Sequence, residues 1–374
     1  MGDVDLVRAL GMAGIASAFF GFDDDAARFS RYVRTSLPWI DQWQRQEQLT
    51  DALLALARSQ PQAPVLFPQT DAAVLLASRH RERLGERMRL MLADRDLIDQ
   101  LLDKARFETL AARHGLPVPP AQHLPSASRP PELEVPFPLI VKPLTRTPAW
   151  TAVAGASKAL PVLRREDLEA LWPRLAGAGT ELLAQQLIAG PESRIESYHV
   201  YVDASGSIAG EFTGRKIRTF PRAYGQSTAV EVAWVSDVAE LGREVVERLG
   251  LRGVAKVDFK RDDRGGLHLL EINPRFNLWH HPGAVAGVNL PAMVYADLTG
   301  GERPPAARPH RRVVWCDPLQ DLRAIRADRI APLAWLRWLA GCRAISGLAW
   351  GDPLPFLRGK LWAAAWRRAS AFAP

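Results

Sequence analysis

Two apolar strands near residue 260 carry charged side chains on one face only. The stretch VAKVDFKRDDRGGLHLLEIN, residues 254–273, has the pattern of a β-hairpin. Symmetric pairing about its turn places Asp258 opposite Glu271, and alternation along each strand puts Lys256 and Asn273 on the same face. Two like charges directly opposite each other across a ladder are destabilising. A fold that contains this hairpin therefore needs a positive group between the two carboxylates.

The polar face of the hairpin has the chemistry of a divalent cation site. Mg²⁺ takes carboxylate and amide oxygens as ligands and leaves room for phosphate oxygens. We therefore predict that Asp258, Glu271 and Asn273 hold Mg²⁺ (or Mn²⁺), with Arg275 at the next alternate position. The alternative is a solvated sheet face on which Lys256 is the only counter-charge. The opposite face is predicted to enter the core, with Val257, Phe259, Leu270 and Ile272.

Length and composition indicate a protein of two or three lobes. The chain has 374 residues, of which 47% are hydrophobic and 24% are charged. Its two cysteines, Cys316 and Cys342, cannot build a disulfide framework. Neither a secretory leader nor an uncharged apolar stretch of about 18 residues is visible. We therefore expect a cytoplasmic protein.

The first hundred residues alternate between helical and strand patterns. The predicted elements are a helix at Asp3–Met12, a strand at Ile15–Phe22, a helix at Gln46–Ser59, a strand at Pro64–Asp71 and a helix from Ala72. Such alternation is typical of a doubly wound α/β lobe. Because the chain opens on a helix, we expect that the first strand of that sheet precedes Met1, or that a neighbouring element covers its position.

Three further motifs precede the hairpin. Asp103 and Lys104 begin a helix, LIVKP ends a strand at Lys142, and LLAQQLIAGPE is a strand followed by a Gly-Pro-Glu turn. Together with VDF and LLEINPR, in this order and spacing, they resemble the ATP-grasp superfamily over roughly residues 97–301. The resemblance is to D-alanine–D-alanine ligase, to uncharacterised carboxylate–amine ligases and to relatives of the carbamoyl phosphate synthase large subunit. It implies an α/β fold, with α+β lobes, preceded by a Rossmann-like lobe.

The resemblance also implies a nucleotide site for ATP and Mg²⁺ (or Mn²⁺). The nucleotide-binding positions are Lys104, Lys142, Gln185, Gln186, Leu187, Ile188, Glu192 and Lys256. Lys104 and Lys142 would offset the charge of the α- and β-phosphates. The hinge strand would present backbone groups to the adenine edge, and Glu192 would accept from the ribose hydroxyls. The implied metal ligands are the three residues already predicted from the hairpin.

Basic residues near the expected cleft suggest a role in binding the acid that is activated. Arg215, Lys216, Arg218 and Arg222, together with Arg275, are predicted to hold a carboxylate and then the oxygens of its acyl phosphate. Of these, Lys216, Arg218 and Arg275 are the predicted catalytic residues. The alternative for each of the four residues from Arg215 to Arg222 is an exposed basic hairpin end. His280 and His281 are expected to pack at a helix start or in the wall of the pocket.

The domains expected are a Rossmann-like lobe at 1–96, a nucleotide-covering lobe at 97–190, a lobe with the metal and substrate sites at 191–301, and a basic helical tail at 302–374. The tail contains 13 Lys and Arg against 5 Asp and Glu, and six of the twelve Trp, whereas the remaining 301 residues carry 35 against 36. This distribution argues against a chain-wide nucleic-acid surface. Within the tail, 356–372 has the pattern of a basic amphipathic helix, which favours packing on the body and leaves contact with an anionic membrane surface as the alternative.

The predicted function is ATP-dependent, ADP-forming ligation of a small-molecule carboxylate to an amine (or thiol), with no nucleic-acid partner and with a homodimer left open. One alternative is an enzyme that activates bicarbonate, as carboxylases and carbamoyl phosphate synthase do. The other is a nucleotide-binding regulatory protein without turnover.

Overall fold

The computed structural model describes residues 3–125, 129–144, 148–155, 157–177, 179, 181–304 and 308–362. The strands are β1 Ser17–Phe20, β2 Val33–Leu37, β3 Ala121–Leu124, β4 Leu139–Pro143, β5 Leu160–Val162, β6 Leu182–Gln186, β7 Ile195–Val202, β8 Ile208–Phe220, β9 Gln226–Val232, β10 Gly253–Arg261, β11 Leu267–Asn273, β12 Val313–Cys316 and β13 Ala344–Ile345. The α-helices are α1 Asp3–Met12, α2 Gln46–Arg58, α3 Asp71–Arg79, α4 Arg81–Gly85, α5 Arg95–Leu102, α6 Lys104–Arg113, α7 Pro148–Ala154, α8 Arg165–Gly177, α9 Ser236–Arg248, α10 His280–Ala286, α11 Leu290–Thr299, α12 Pro318–Ala327 and α13 Pro332–Ala340. Shorter turns are the 3₁₀ segments Ala26–Phe29 and Glu192–Arg194, and Pro355–Trp362 is a π-helix.

The N-terminal part of the chain has a smaller sheet than the sequence predicts. Within the described residues this sheet consists of β1 and β2, which pair in parallel. The predicted strand at Pro64–Asp71 makes only an isolated bridge between Val65 and Arg89. Pro64 and Pro68 lack a backbone N–H and cannot donate to a ladder, which accounts for the short pairing. Helices α1, α2 and α3 lie where the sequence places them, within a residue or two.

A small sheet follows, with strand order β3-β6-β4-β5 and antiparallel pairing throughout. One core cluster packs α8 on it, with Trp150 and Trp172 fully buried. The predicted boundary between residues 96 and 97 falls inside α5, which packs on α6.

A large sheet of seven strands forms the centre of the molecule, in the order β11-β10-β7-β8-β9-β12-β13. One face packs against residues of α5, α6 and α9, and the other against α1, α10 and α11. Because the two faces are covered by different helices, strands β7 and β10 are buried along most of their length. The hairpin with the acidic pair is β10 and β11, at one edge of this sheet.

The hairpin register is confirmed at the polar end and wrong at the turn end. Asp258 lies opposite Glu271, as predicted. A bulge between Asp258 and Phe259 then shifts the pairing, so that Phe259 faces Leu269. The extra residue on β11 therefore turns Leu269 into the core. Leu270, which was predicted to enter the core, is only half-buried.

Residues after 302 do not form a helical tail alone. β12 pairs antiparallel with β9, and β13 pairs parallel with β12, so this segment extends the large sheet. Trp315 and Trp335 are buried, and each indole N–H donates to a buried aspartate. The predicted amphipathic helix at 356–372 lies mostly outside the described residues, which include its start in the π-helix.

No helix in the described ranges is both long and apolar enough to span a bilayer.

Candidate active site

The first predicted phosphate lysine lies at the start of a capped helix. Asp103 is the N-cap of α6 and accepts hydrogen bonds from the amides of Ala105 and Arg106 at 2.9 and 3.0 Å. This cap separates α5 from α6 and fixes the position of Lys104. The Nζ of Lys104 donates to the carbonyl of Pro143, at the end of β4. Lys104 is therefore held beside the strand that carries the second predicted lysine.

Lys142 is half-buried on β4 and has two polar neighbours. Its Nζ donates to Oε1 of Gln185 at 2.8 Å, and Nε2 of Gln185 donates to Glu108 at 3.2 Å. Burial lowers the pKa of Lys142, and the charges of Glu108 and Glu271 oppose that shift. Because the charge of Glu271 acts on the pKa of Lys142, a residue of the small sheet interacts electrostatically with the hairpin. The sequence reasoning missed Glu108, whose only signal is its position one helical turn after Lys104.

The predicted adenine hinge begins where β6 leaves the small sheet. The amide of Gln186 donates to the carbonyl of Pro120 at 2.8 Å, and the amide of Leu187 donates to that of Pro138 at 2.9 Å. Both backbone N–H groups therefore already donate hydrogen bonds within the protein. Ile188 follows and is buried, and Glu192 lies in the next 3₁₀ turn with its Oε2 3.7 Å from Nζ of Lys216.

Asp258 is a buried carboxylate on the site face of β10. Ser197 donates to its Oδ1, and Nζ of Lys256 donates to its Oδ2 at 2.5 Å. Burial by itself would raise the pKa of Asp258, but the charges of Lys256 and Lys216 outweigh it and hold that pKa well below its usual range. The carboxylate is therefore ionised at neutral pH, as a metal ligand must be. Ser197, from the adjacent strand β7, was not found by sequence reasoning.

The rest of the predicted metal set lines the same face. Glu271 is exposed, and its Oε1 accepts a hydrogen bond from the side-chain Nδ2 of Asn273 at 3.1 Å. Arg275 donates to Oδ1 of Asn273 at 3.2 Å and to Asp71 at 2.5 Å. The described ranges contain no group of three or more His, Cys, Asp or Glu that could hold a metal ion. Two carboxylates and one amide oxygen on one face fit a hard cation that takes its remaining ligands from phosphate and water.

Comparisons with known proteins agree with this geometry. Residues 202–319 match the family described as ATP-grasp in the biosynthetic pathway with Ter operon. The chain is 24% identical over 238 residues to D-aspartate ligase of Enterococcus faecium, covering 61% of this chain and 56% of that protein. It is 26% identical over 182 residues to D-alanine–D-alanine ligase of Francisella philomiragia subsp. philomiragia, covering 46% and 56%. The chain thus spans about half the length of the curated relatives it matches.

A solved structure extends the likeness to most of the chain. Biotin carboxylase from Campylobacter jejuni superposes with a TM-score of 0.64 at 17% identity, covering 84% of this chain and 73% of that one. The chain has the ATP-grasp fold. Lys158, which precedes β5 of the small antiparallel sheet, and residues of the large mixed sheet line one space, which we call the ATP-grasp cleft. The chain is also similar to ATP-grasp carboxylate–amine ligases.

The ATP-grasp cleft contains a cavity of about 260 Å³. At the end nearest the hairpin it is lined by Lys158, Lys216, Lys256, Asp258, Glu271, Asn273 and Arg275. Burial lowers the pKa of Lys216, and Asp258 opposes this shift. One cavity is therefore lined by the predicted metal set and by two of the three predicted catalytic residues, Lys216 and Arg275.

Arg218 does not line the ATP-grasp cavity, and its contacts do not fit the predicted catalytic role. Its Nε and Nη2 donate to the carboxylate of Asp321 at 2.6 to 3.1 Å, and its guanidinium lies 3.9 Å from the ring centroid of Trp338. Side chains alternate along β8, but bulges shift the register on either side of Arg218 and redirect it to α12. Arg215 and Arg222 are largely exposed, which fits the alternative of an exposed basic hairpin end. Arg215 pairs with Glu231, and Arg222 pairs with Asp328.

The two adjacent histidines pack at the start of α10, as expected. His280 is fully buried, and burial lowers its pKa to about 3. His281 lies 3.1 Å from a carboxylate oxygen of Asp5 in α1. His281 therefore links α10 to α1, and His280 packs beside the ring of Phe276.

Proposed function

We propose that the protein is an ADP-forming ligase that activates a carboxylate as an acyl phosphate and joins it to an amine. The observation that carries the proposal is one cavity that Lys158, which precedes β5 of the small sheet, lines together with Lys216, Asp258 and Glu271 of the large sheet. Cations and the oxygens predicted to bind the metal share one cavity, and this combination suits a polyphosphate. The similarity to D-aspartate ligase and D-alanine–D-alanine ligase supports the same class of reaction.

The reaction has two steps. A carboxylate oxygen of the donor attacks the γ-phosphorus of ATP, the bond from that phosphorus to the β–γ bridging oxygen breaks, and ADP leaves with the electron pair. The amine nitrogen then attacks the acyl carbon, the C–O bond to phosphate breaks, and phosphate leaves as the nitrogen loses a proton to phosphate or water. Positioning and charge stabilisation supply the acceleration in this scheme.

The residues act by binding and by electrostatics. Lys142 and Lys216 would offset charge on the phosphate oxygens, and Arg275 would bind the donor carboxylate. Asp258, Glu271 and Asn273 would hold Mg²⁺, with Ser197 and Lys256 orienting the buried carboxylate of Asp258. When bound, Mg²⁺ supplies positive charge at the phosphates.

Glu271→Gln tests this proposal. Purified protein is incubated with Mg·ATP, hydroxylamine and a panel of amino acids and other small carboxylates. Hydroxylamine converts an acyl phosphate to a hydroxamate, so the donor is identified without knowledge of the acceptor. We expect wild-type protein to form ADP and hydroxamate with at least one donor, and Glu271→Gln to lose at least about a hundredfold of that rate.

Glu247→Gln is the matched control, because Glu247 is an exposed carboxylate on α9. It should keep the wild-type rate, and both variants should show wild-type circular dichroism. Near-normal turnover by Glu271→Gln would contradict the assignment of the site. ADP release that needs only bicarbonate would favour the carboxylase alternative, and ATP binding without ADP from any acid would favour the regulatory one.

A further inference from the structure

Residues 67–71 of the N-terminal part pack on the stretch that follows β11. The rings of Phe67 and Phe276 meet edge to face, with 4.9 Å between their centroids. The backbone N–H of Phe276 donates to the carbonyl of Pro68 at 3.1 Å. This segment therefore reaches the edge strand of the large sheet, which carries Glu271 and Asn273 of the predicted metal set.

The guanidinium of Arg275 is held on three sides by this contact. Its Nε donates to Oδ1 of Asp71 at 2.5 Å, and its Nη1 donates to the carbonyl of Gln69 at 3.2 Å. Its Nη2 donates to Oδ1 of Asn273, also at 3.2 Å. Two of the three acceptors lie 204 and 206 residues before Arg275 in the chain. The N-terminal part of the chain thus determines the direction of this side chain together with the hairpin.

These bonds leave part of the guanidinium available. An arginine side chain carries five N–H donors. Three of them are used in the bonds above, so two remain without an acceptor among the residues that the structure describes. A carboxylate accepts two parallel N–H bonds from one guanidinium. Arg275 also lines the cavity together with Lys216 and the predicted metal set, where the donor acid is expected.

Asp71 has a fixed position of its own. It is the first residue of α3, and Thr70 caps that helix by accepting from the backbone N–H of Ala73 at 3.1 Å. The cap defines where the helix starts, and a negative side chain in the first turn is favoured by the helix dipole. Asp71 is therefore a well-placed anion beside Nε of Arg275.

The exposure of the ion pair separates positioning from stability. The side chain of Arg275 is 22% exposed and that of Asp71 is 50% exposed. Pairs with this much solvent contact add little to stability. The planar fork of a guanidinium, however, binds a carboxylate only in a limited set of orientations. A partner at Nε therefore acts mainly on the direction in which the remaining N–H groups point.

We propose that Asp71 is a positioning residue, which orients Arg275 so that its two remaining N–H groups bind the donor carboxylate. This inference rests on the proposed function. It makes the segment 67–71 part of the donor subsite, although this segment lies outside the region of residues 97–301 that carries the sequence resemblance.

The experiment compares the KM for the donor with kcat. The donor is the acid of the hydroxamate panel that wild type uses fastest, with hydroxylamine as acceptor and saturating Mg·ATP. Asp71→Ala removes the acceptor for Nε, whereas Asp71→Asn keeps an oxygen there without the charge. We expect the donor KM to rise about tenfold in Asp71→Ala and less in Asp71→Asn. We expect kcat and the KM for Mg·ATP to stay within about threefold of wild type, because Lys216 and the predicted metal ligands are unchanged.

Asp96→Ala is the matched control. Asp96 is an exposed acid in the first turn of α5, as Asp71 is in α3, and it does not line the cavity. It should keep the wild-type KM for the donor. A merely structural role of Asp71 would lower the melting temperature or kcat and leave the donor KM unchanged. That result, or an equal rise in the KM for Mg·ATP, would overturn the inference.

Failure of this inference differs from failure of the ligase proposal. If hydroxamate forms and the donor KM is the same in Asp71→Ala and wild type, the ligase proposal stands and the inference alone is overturned. If wild type forms no hydroxamate with any acid, both are overturned.

Discussion

Replacing Arg218 with alanine would remove one partner of a buried ion pair. Asp321 is fully buried and Arg218 is 11% exposed, and two guanidinium nitrogens reach the carboxylate at 2.6 to 3.1 Å. Loss of the cation leaves a buried carboxylate without its counter-charge. We therefore expect Arg218→Ala to reduce stability rather than to act on the reaction itself.

The size of the effect follows from what remains around Asp321. Removing one partner of a buried pair costs about 3–5 kcal/mol. Asp321 retains hydrogen bonds from Thr228 at 2.6 Å and from the indole of Trp335 at 2.8 Å. We therefore expect the lower part of that range, a loss of about 3 kcal/mol in the free energy of unfolding.

The loss should depend on pH. Burial alone would raise the pKa of Asp321, but hydrogen bonds from Arg218, Thr228 and Trp335 hold it below its usual value. A carboxylate with a lowered folded-state pKa contributes its full stability above its unfolded-state pKa, about 3.9, and loses it as the pH falls through the folded value. Without Arg218 the folded-state pKa rises, and protonation then relieves the penalty. The difference between wild type and Arg218→Ala should therefore be smaller at pH 4 than at pH 7.

Urea denaturation followed by tryptophan fluorescence measures the difference, since Trp335 and Trp338 lie against the pair. Arg222→Ala is the control, because Arg222 is on the same hairpin but its side chain is 80% exposed. It should cost less than about 0.5 kcal/mol. The reasoning is refuted if Arg218→Ala is as stable as Arg222→Ala, and a stable Arg218→Ala without ligase turnover would restore the catalytic role.

Three further outcomes are expected. Gly214→Ala should lower the melting temperature, because the new Cβ would lie 2.4 Å from Trp279 and 2.5 Å from a backbone oxygen, whereas Gly85→Ala has open space and should not; equal melting curves would contradict this packing. Mg·ATP should raise the wild-type melting temperature by binding the folded state, and the rise should shrink in Glu271→Gln; an equal rise in both would separate nucleotide binding from the acidic pair. If the basic segment 356–372 contacts membranes, the protein should sediment with anionic vesicles, less so as salt increases, and binding that survives deletion of 363–374 would assign it to another surface.

The local chemistry of the site could be predicted from the sequence. Symmetric pairing about the turn predicts Asp258 opposite Glu271, and the structure has this pair, although a bulge between Asp258 and Phe259 separates it from the register at the turn. A side chain that caps its own helix acts within three residues, so Asp103 marks the start of α6. Such features depend on neighbours in the chain, and they sufficed to predict the metal set, whereas the fold was predicted from the resemblance of several motifs to a known superfamily.

The contacts of residues 308–362 with the rest of the protein were decided by tertiary structure alone. Arg218 and Asp321 are 103 residues apart, and Asp5 meets Trp315 across 310. The strand β12 is only four residues long, and its burial comes from pairing with β9 rather than from any period in its own sequence. A basic, Trp-rich composition therefore suggested a helical tail, whereas the pairing of β12 with β9 buries Trp315. Contacts at such separation are selected by the packing of the whole core, because each side chain finds its partner only after the intervening elements have taken their places.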